Sequence, residues 1–434
     1  MSSRPTGCLA LVALLLSLAE TSAARTPDPP AVWSLTDHGT FTVDGERFFP
    51  IALTMPPPLG SRTPWGRDAV AELVAAGVNT FRAGPWAEGW TTRHLRAAAA
   101  WNDVAAEHGV YTWLQLRDLA LLEPGSRMLP FLRRALERLT GHPGLGFWKG
   151  RDEPWPHFRP RDLRHAYDLV KRKDPNTLFV TIFAPRSRDR TMLKHAPDPP
   201  DLRGYRRVTD VAGVDLYPIY YRWPGGHPPK LNLLGDWTRA IARATRIRAV
   251  TTTLQICFAG SDDPLGSGRF ILPTDRQERF MAYDAIINGA RGLVFYGGQI
   301  PKCHTRSDAA HGWNWTFWRR TLRQLVRELG ADSPFHHALV RPETTRRLAT
   351  GDPYTQAISR KAGRTVWVIV TNRRTTPATV LVRGLPPWAR TGRTYPGGQG
   401  VRARDGRLRL ELGDWGVRVV RFVAPADGRY WRMA

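Results

Sequence analysis

The segment GFWKGRDEPW, Gly146 to Trp155, runs from an apolar strand into an acidic pair and then into proline. Leu145–Lys149 has the length and composition of a buried strand. Asp152 and Glu153 stand at its end, and Pro154 forces the chain out of regular structure. Two adjacent carboxylates at a strand end repel each other, so partial burial is expected to raise the pKa of one of them. A carboxyl group that stays protonated near neutral pH is a general acid. The plainer alternative is a solvated acid pair with Arg151 as its counter-ion.

Outward from this segment the same alternation repeats. Apolar runs of strand length occur at Phe49–Thr54, Asn79–Ala83, Tyr111–Leu116, Leu145–Lys149, Leu178–Phe183, Val211–Leu216, Val250–Ile256 and Gly292–Tyr296. Between them lie helical patterns at Arg67–Ala76, Thr92–His108, Met128–Thr140, Arg161–Lys173, Trp237–Thr245 and Thr274–Asn288. Thr274 and Gln277 form a capping-box signature, and Gly289 is a stop signal. Eight strands alternating with helices over about 250 residues predict a parallel (β/α)8 TIM barrel, an α/β fold. An open doubly wound sheet is disfavoured, because no Gly-rich dinucleotide loop follows the first strand.

The flanks read differently. Gly39–Phe49, GTFTVDGERFF, alternates around Asp44-Gly45 and predicts a hairpin that closes the barrel bottom or leads into its first strand. Past Ser333 the runs Thr365–Thr371, Thr379–Val382, Leu408–Leu412 and Val417–Phe422 are separated by Gly, Pro and Asn. They predict a small C-terminal antiparallel β-sandwich. At the start, Arg4, the apolar run Cys8–Ala19 and the small residues Thr21–Ala24 predict an export signal cleaved after Ala23 or Ala24. The expected organisation is a signal at 1–24, a linker at 25–38, the barrel at 39–332 and the sandwich at 333–434. The mature chain is then secreted or periplasmic, with no membrane span.

The net charge is +25 and the pI about 11.0. The basic residues are dispersed rather than blocked, which points to a composition bias more than to a binding stripe. Nucleic acid is therefore not an expected partner. Cys257 and Cys303 follow the seventh and eighth strands, whose loops are neighbours, and an exported chain permits a disulfide between them. No compact Cys/His set suggests a metal, and no cofactor is implied. Asn314-Trp315-Thr316 fits a glycosylation sequon.

Barrel enzymes carry their working residues at the C-terminal ends of the strands. Here those ends hold Arg82, Gln115 to Asp118, Asp152, Glu153, Asp215, Tyr217, Gln255 and Tyr296. The chain also has 17 Trp. Trp86, Trp148 and Trp313 are the expected cleft aromatics, since indole faces stack on sugar rings.

Taken in order, these segments resemble the clan A glycoside hydrolases, the β-galactosidase-like (β/α)8 superfamily. GTFTVDGERFFPIAL resembles the approach to the first barrel strand, and NTFRAG the second strand, with Arg82 on the family's Arg. WKGRDEPW resembles the fourth strand, where the acid/base Glu falls on Glu153. VAGVDLYPI resembles the sixth strand, and LPTDRQERFMAYDAIINGARGLVFYG the seventh helix and eighth strand. The resemblance covers about Gly39 to Gln299. It implies hydrolysis of O-glycosidic bonds in an oligo- or polysaccharide, an acidic one among the options.

Two positions depart from the pattern. Asp152 stands where the family has Asn, and Gln255 stands in place of the nucleophile Glu. Gln cannot act as a carboxylate nucleophile. Three accounts follow. Another carboxylate, Asp215 or Asp118, supplies the second function. Alternatively Asp152 orients a substrate acetamido group, as in β-hexosaminidases. Or the chain binds carbohydrate without cleaving it. The expected catalytic set is Glu153 as acid with Asp152 or Asp215 assisting. The expected sugar-binding set is Arg82, Trp86, Asp118, Trp148, Tyr217, Gln255, Tyr296 and Trp313.

Overall fold

The computed structural model describes residues 29–86, 89–184, 202–219, 230–257 and 272–425. The expected export signal, and the loops that follow the fifth, sixth and seventh barrel strands, lie outside them in whole or in large part.

Three short strands, β1 (Trp33–Leu35), β2 (Phe41–Val43) and β3 (Glu46–Phe48), form an antiparallel sheet. Phe41 pairs with Phe48, and the β2–β3 turn uses Asp44 (φ 51°) and Gly45 (φ 82°). Both turn residues are left-handed, as a two-residue hairpin requires. Part of the expected linker is thus a strand. Trp33 is buried, with its ring 4.4 Å from that of Phe147 and 4.7 Å from that of Tyr111. Tyr111 and Phe147 lie near the N-terminal ends of their strands, so this sheet closes the barrel bottom. Gly39 (φ 75°) is needed there. A Cβ at that position would lie 2.4 Å from the Arg248 carbonyl carbon.

The barrel strands are β4 (Ile51–Leu53), β5 (Thr80–Ala83), β6 (Tyr111–Gln115), β7 (Leu145–Asp152), β8 (Leu178–Phe183), β9 (Val211–Asp215), β10 (Val250–Gln255) and β11 (Ala290–Tyr296). All pair in parallel, and β11 closes on β4 with Leu293 opposite Ile51. Among the helices that cover them are α1 (Ala69–Val74), α2 (Thr92–Glu107), α3 (Leu129–Leu139), α4 (Pro160–Lys173), α5 (Leu233–Thr245) and α6 (Asp275–Ile287). The cap of α6 is the one the sequence suggests. Asp68 Oδ1 accepts from the Ala71 amide at 2.8 Å, and Thr274 and Gln277 form a reciprocal capping box on α6. In α3, Phe131, Leu132, Ala135, Leu136 and Leu139 are buried on one face. They cover Leu114, Leu145 and Trp148 from outside. That stripe is the usual means by which an amphipathic helix adheres to a barrel.

The C-terminal part is a seven-stranded antiparallel sheet, nearly closed on itself and sandwich-like. Its strands are β12 (Thr355–Ala362), β13 (Thr365–Asn372), β14 (Ala378–Arg383), β15 (Thr391–Tyr395), β16 (Gly400–Arg404), β17 (Arg407–Leu412) and β18 (Val417–Val423). Their order is β12-β13-β18-β15-β16-β17-β14. Alternate residues of β13, Val366, Val368 and Val370, share an inner core with Val380, Leu408 and Phe422. The opposite face, with Trp367, Ile369 and Val419, joins the barrel's own core. Period-two alternation explains both, because β13 is apolar on both sides and is covered on both. Arg373 bridges Asp236 of α5 at 2.7 Å and Asp284 of α6 at 3.1 Å, fixing the sheet against those helices.

Candidate active site

Strand β7 builds the centre of the barrel mouth. Phe147 meets the rings of Trp33 and Phe41 at the bottom. Alternation then turns Trp148 outward and Lys149 inward. Trp148 is fully buried beneath the helices, and its indole N–H donates to Asp174 Oδ2 at 2.7 Å. After Lys149 the pairing with β8 slips. Lys149 lies opposite Val180, but Asp152 lies opposite Ile182. Three steps on β7 therefore span two on β8, a bulge that re-aims the side chains beyond it. Asp152 returns to the inner face and accepts from the Lys149 ammonium at 2.5 Å. Arg117 Nη1 stands 3.7 Å from the other Asp152 oxygen. Burial alone would raise the pKa of Asp152, but Lys149, Arg117 and Arg82 together hold it below the usual carboxylate range. Burial lowers that of Lys149, with Asp152 offsetting part of the effect.

Glu153 follows in a left-handed conformation, φ 45°, while its amide still donates to the Ile182 carbonyl at 3.1 Å. For a residue with a Cβ that conformation costs about 1 kcal/mol or more. Its carboxyl group is hydrogen-bonded to that of Asp215 at the end of β9. Burial, the charges of Glu153 and Asp152, and that hydrogen bond push the pKa of Asp215 well above its ordinary value, against an opposing pull from Lys149. Asp215 Oδ1 is shut off from solvent and has no partner among the described residues. Tyr217 and Tyr296 stand beside it with ring centres 5.0 Å apart. Burial and the nearby carboxylates raise the pKa of both phenols.

Arg82, at the end of β5, completes the cluster. It is 6% exposed, donates to the Pro85 carbonyl at 2.5 Å, and lies 3.7 Å from the Trp86 ring centre. Trp86 itself is exposed on the rim.

The structure thus gathers Arg82, Trp86, Asp152, Glu153, Asp215, Tyr217 and Tyr296, and redistributes their roles. Asp215 carries the raised pKa, while that of Asp152 is lowered. Asp152 is paired with Lys149 and Arg117 rather than exposed beside Arg151. Gln255 is buried and turned onto the chain after β9. Its Nε2 donates to the Ile219 carbonyl at 2.8 Å, and its Oε1 accepts from the Ile219 amide at 2.9 Å. That side chain is a structural clamp, fully buried with both ends of its amide engaged by the backbone. Trp148 and Trp313 are not cleft residues either. Trp313 is fully buried against Trp315 and Trp318 and donates to the Met55 carbonyl at 2.7 Å. Asp118 sits in the 3₁₀ turn Arg117–Leu121, its Oδ1 buried without a hydrogen-bond partner among the described residues. Cys257 and Cys303 are disulfide-bonded. In the sequon, Asn314 is buried, and its amide caps the following helix at Phe317 and donates to the Cys303 carbonyl at 3.2 Å. Sequence reading missed Lys149, which counting alternation outward from Phe147 would have found. It placed Arg117 at a strand end, within Gln115 to Asp118, but gave it no role.

No protein-family model matches this sequence, and no curated protein does. The class comes from the fold: a closed eight-stranded parallel barrel with its polar residues gathered at the strand ends and an antiparallel sheet behind it. That architecture is a (β/α)8 barrel, and glycoside hydrolases of known structure share it. Among solved structures, the chain is similar to a protein described as a glycoside hydrolase, at 13% identity, 91% coverage of this chain and 97% of that one, and a TM-score of 0.56. It is similar to a glycoside hydrolase family 5 structure from Bacteroides vulgatus at 12% identity, covering 91% and 93%, with a TM-score of 0.56. It is also similar to an Anoxybacillus α-amylase at 12% identity, covering 87% and 98%, with a TM-score of 0.54. At these identities the likeness concerns the fold, and the site must be argued from its own residues.

Proposed function

We propose that the chain hydrolyses O-glycosidic bonds, with the Glu153–Asp215 pair as its proton donor and Asp152 as its ionised carboxylate. The observation that carries this is the opposed environment of two aspartates in one mouth. Asp215 is pushed toward the protonated form and Asp152 toward the ionised form. Two carboxyls split in this way are what acid-assisted glycoside cleavage needs.

Asp215 holds the proton, and its hydrogen bond to Glu153 is the route by which Glu153 presents it to the leaving oxygen. Asp152, held by Lys149 and Arg117, faces the positive charge that develops on the sugar. With Asp215 in contact with Glu153, the second function needs no acetamido group from the substrate. The carbohydrate partner and the export of the mature chain belong to this proposal. Among the described residues no helix is long and apolar enough to cross a membrane.

The test is turnover of a panel of aryl glycosides by the purified chain and by Glu153→Gln. Turnover that falls about 10²–10⁴-fold in the variant supports the reading. Equal turnover in both would sink it. A second reading, a carbohydrate-binding protein without activity, is favoured by Gln255, which brings no carboxylate to the end of β10. Sugar binding with no turnover of any glycoside would establish it.

A further inference from the structure

Arg82 is a buried cation without a counter-ion. Among the described residues it forms no ion pair, its one side-chain hydrogen bond goes to the Pro85 carbonyl, and its Nε has no partner. Burial and the neighbouring Arg117 drive its pKa down to about 9, with Asp152 and Tyr296 offsetting only part of this. Arg279 and Arg373 show the ordinary arrangement. Arg279 bonds Glu328 at 2.7 Å, and Arg373 bonds Asp236 and Asp284. Arg360, also buried without a carboxylate in contact, is held instead by the Leu339 and Ile286 carbonyls. Buried charge is normally matched by opposite charge or by full hydrogen bonding, and Arg82 has neither.

The groups around Arg82 cannot make up the difference. Asp152 is already bonded to Lys149, and Gln255 is neutral and committed to Ile219. Arg117 Nε is also buried without a partner. Three cations, Arg82, Arg117 and Lys149, therefore crowd around Asp152, the one carboxylate they share. An unmatched positive charge beside a scissile glycosidic bond opposes the positive charge of the transition state. A bound anion at the guanidiniums removes that opposition.

We propose that the substrate brings this anion as a sugar carboxylate, so that the mouth takes a uronic acid residue with its carboxylate on Arg82 and Arg117. The inference rests on the mouth being the sugar site, as proposed above. A guanidinium fork matches a carboxylate in geometry, and the charge-assisted bonds are the strong ones. Trp86, exposed and stacked against Arg82, offers a flat wall to the ring that carries the carboxylate.

Calorimetric titration with D-glucuronate and D-galacturonate, against D-glucose and D-galactose at fixed ionic strength, tests this directly. The uronates are expected to bind at least about tenfold tighter than the neutral sugars, the factor that one charge-assisted bond supplies. Arg117→Gln, at a partly exposed position, should cut uronate affinity about tenfold and leave neutral-sugar affinity unchanged. Arg82→Lys keeps the charge but not the fork and should lose part of the preference. Equal affinity for both sugar classes overturns the inference. So does no binding of either, a preference that survives both substitutions, or acetate and phosphate binding as tightly as the uronates.

Aryl uronides and neutral aryl glycosides then separate the two readings. Uronate binding without cleavage of any glycoside removes the hydrolase and leaves this inference standing. Cleavage confined to neutral glycosides does the reverse.

Discussion

The ends of β7 and β10 face the same barrel mouth and solve opposite problems. At the end of β7, a bulge and a left-handed Glu153 bring Lys149, Asp152 and Glu153 into one charged cluster with Asp215. The conformation there is costly and the pairing incomplete. At the end of β10, Gln255 is regular, fully buried and bonded through both amide atoms to Ile219. Both ends of its amide are held by the backbone. Strain and unmatched charge persist only where the surroundings enforce them, and they concentrate at working sites. On the proposed function, the chemistry belongs to the fourth and sixth barrel strands and the seventh is a support.

The hardest blow to that contrast comes from Glu153→Gln. Its kcat is expected to fall about 10²–10⁴-fold with little change in KM, since the proton donor is lost and the binding groups remain. A variant that keeps full kcat moves the chemistry elsewhere. Lys149→Met sharpens the same side. Asp152 must be ionised, and removing its cation raises its pKa. The acid limb of the pH–rate profile should move up by about one to three units. An unmoved limb means that Asp152 does not work as the anion.

On the β10 side, Gln255→Glu asks whether the missing carboxylate can be restored. The Ile219 carbonyl would then face an acceptor where it had a donor. The expected result is a loss of about 1–3 kcal/mol in chemical denaturation and no gain in turnover. A rise in turnover would mean that β10 also carries chemistry.

The smallest effect concerns Asp215→Asn. The folded-state pKa of Asp215 lies well above its unfolded value of 3.8. Its contribution to stability is therefore fully present below that value and is lost as pH rises through the folded pKa. Removing the ionisable group should raise Tm at pH 7–8, by roughly 2–4 °C for each kcal/mol recovered, and should leave it unchanged below about pH 4. A Tm difference independent of pH would show that Asp215 is not held in the protonated form.

Much of the frame was legible from residue order. The eight apolar runs are the eight barrel strands within a residue or three at each end, and the capping box falls where Thr274 and Gln277 predict. Helix and strand periods are local properties, so a sequence displays them. The sheet behind the barrel was only half legible. Its strands Thr355–Ala362, Thr391–Tyr395 and Gly400–Arg404 mix polar and apolar residues without a clear run, and pairing with neighbours is what makes them strands. Trp148 and Trp313 misled because abundance and nearness in sequence say nothing about which way a side chain points.

The sequence by itself determined the barrel, the position of Asp152, Glu153 and Asp215 at strand ends, and the absence of a carboxylate at 255. Only the tertiary structure decided which of those groups meet. Asp215 and Glu153 are 62 residues apart and touch because β7 and β9 both end at the closed rim. Lys149 reaches Asp152 because a single bulge on β7 resets its alternation. A pKa is set by what surrounds a group in three dimensions, and so the division between the proton-holding and the ionised aspartate is a property of the fold and not of either residue.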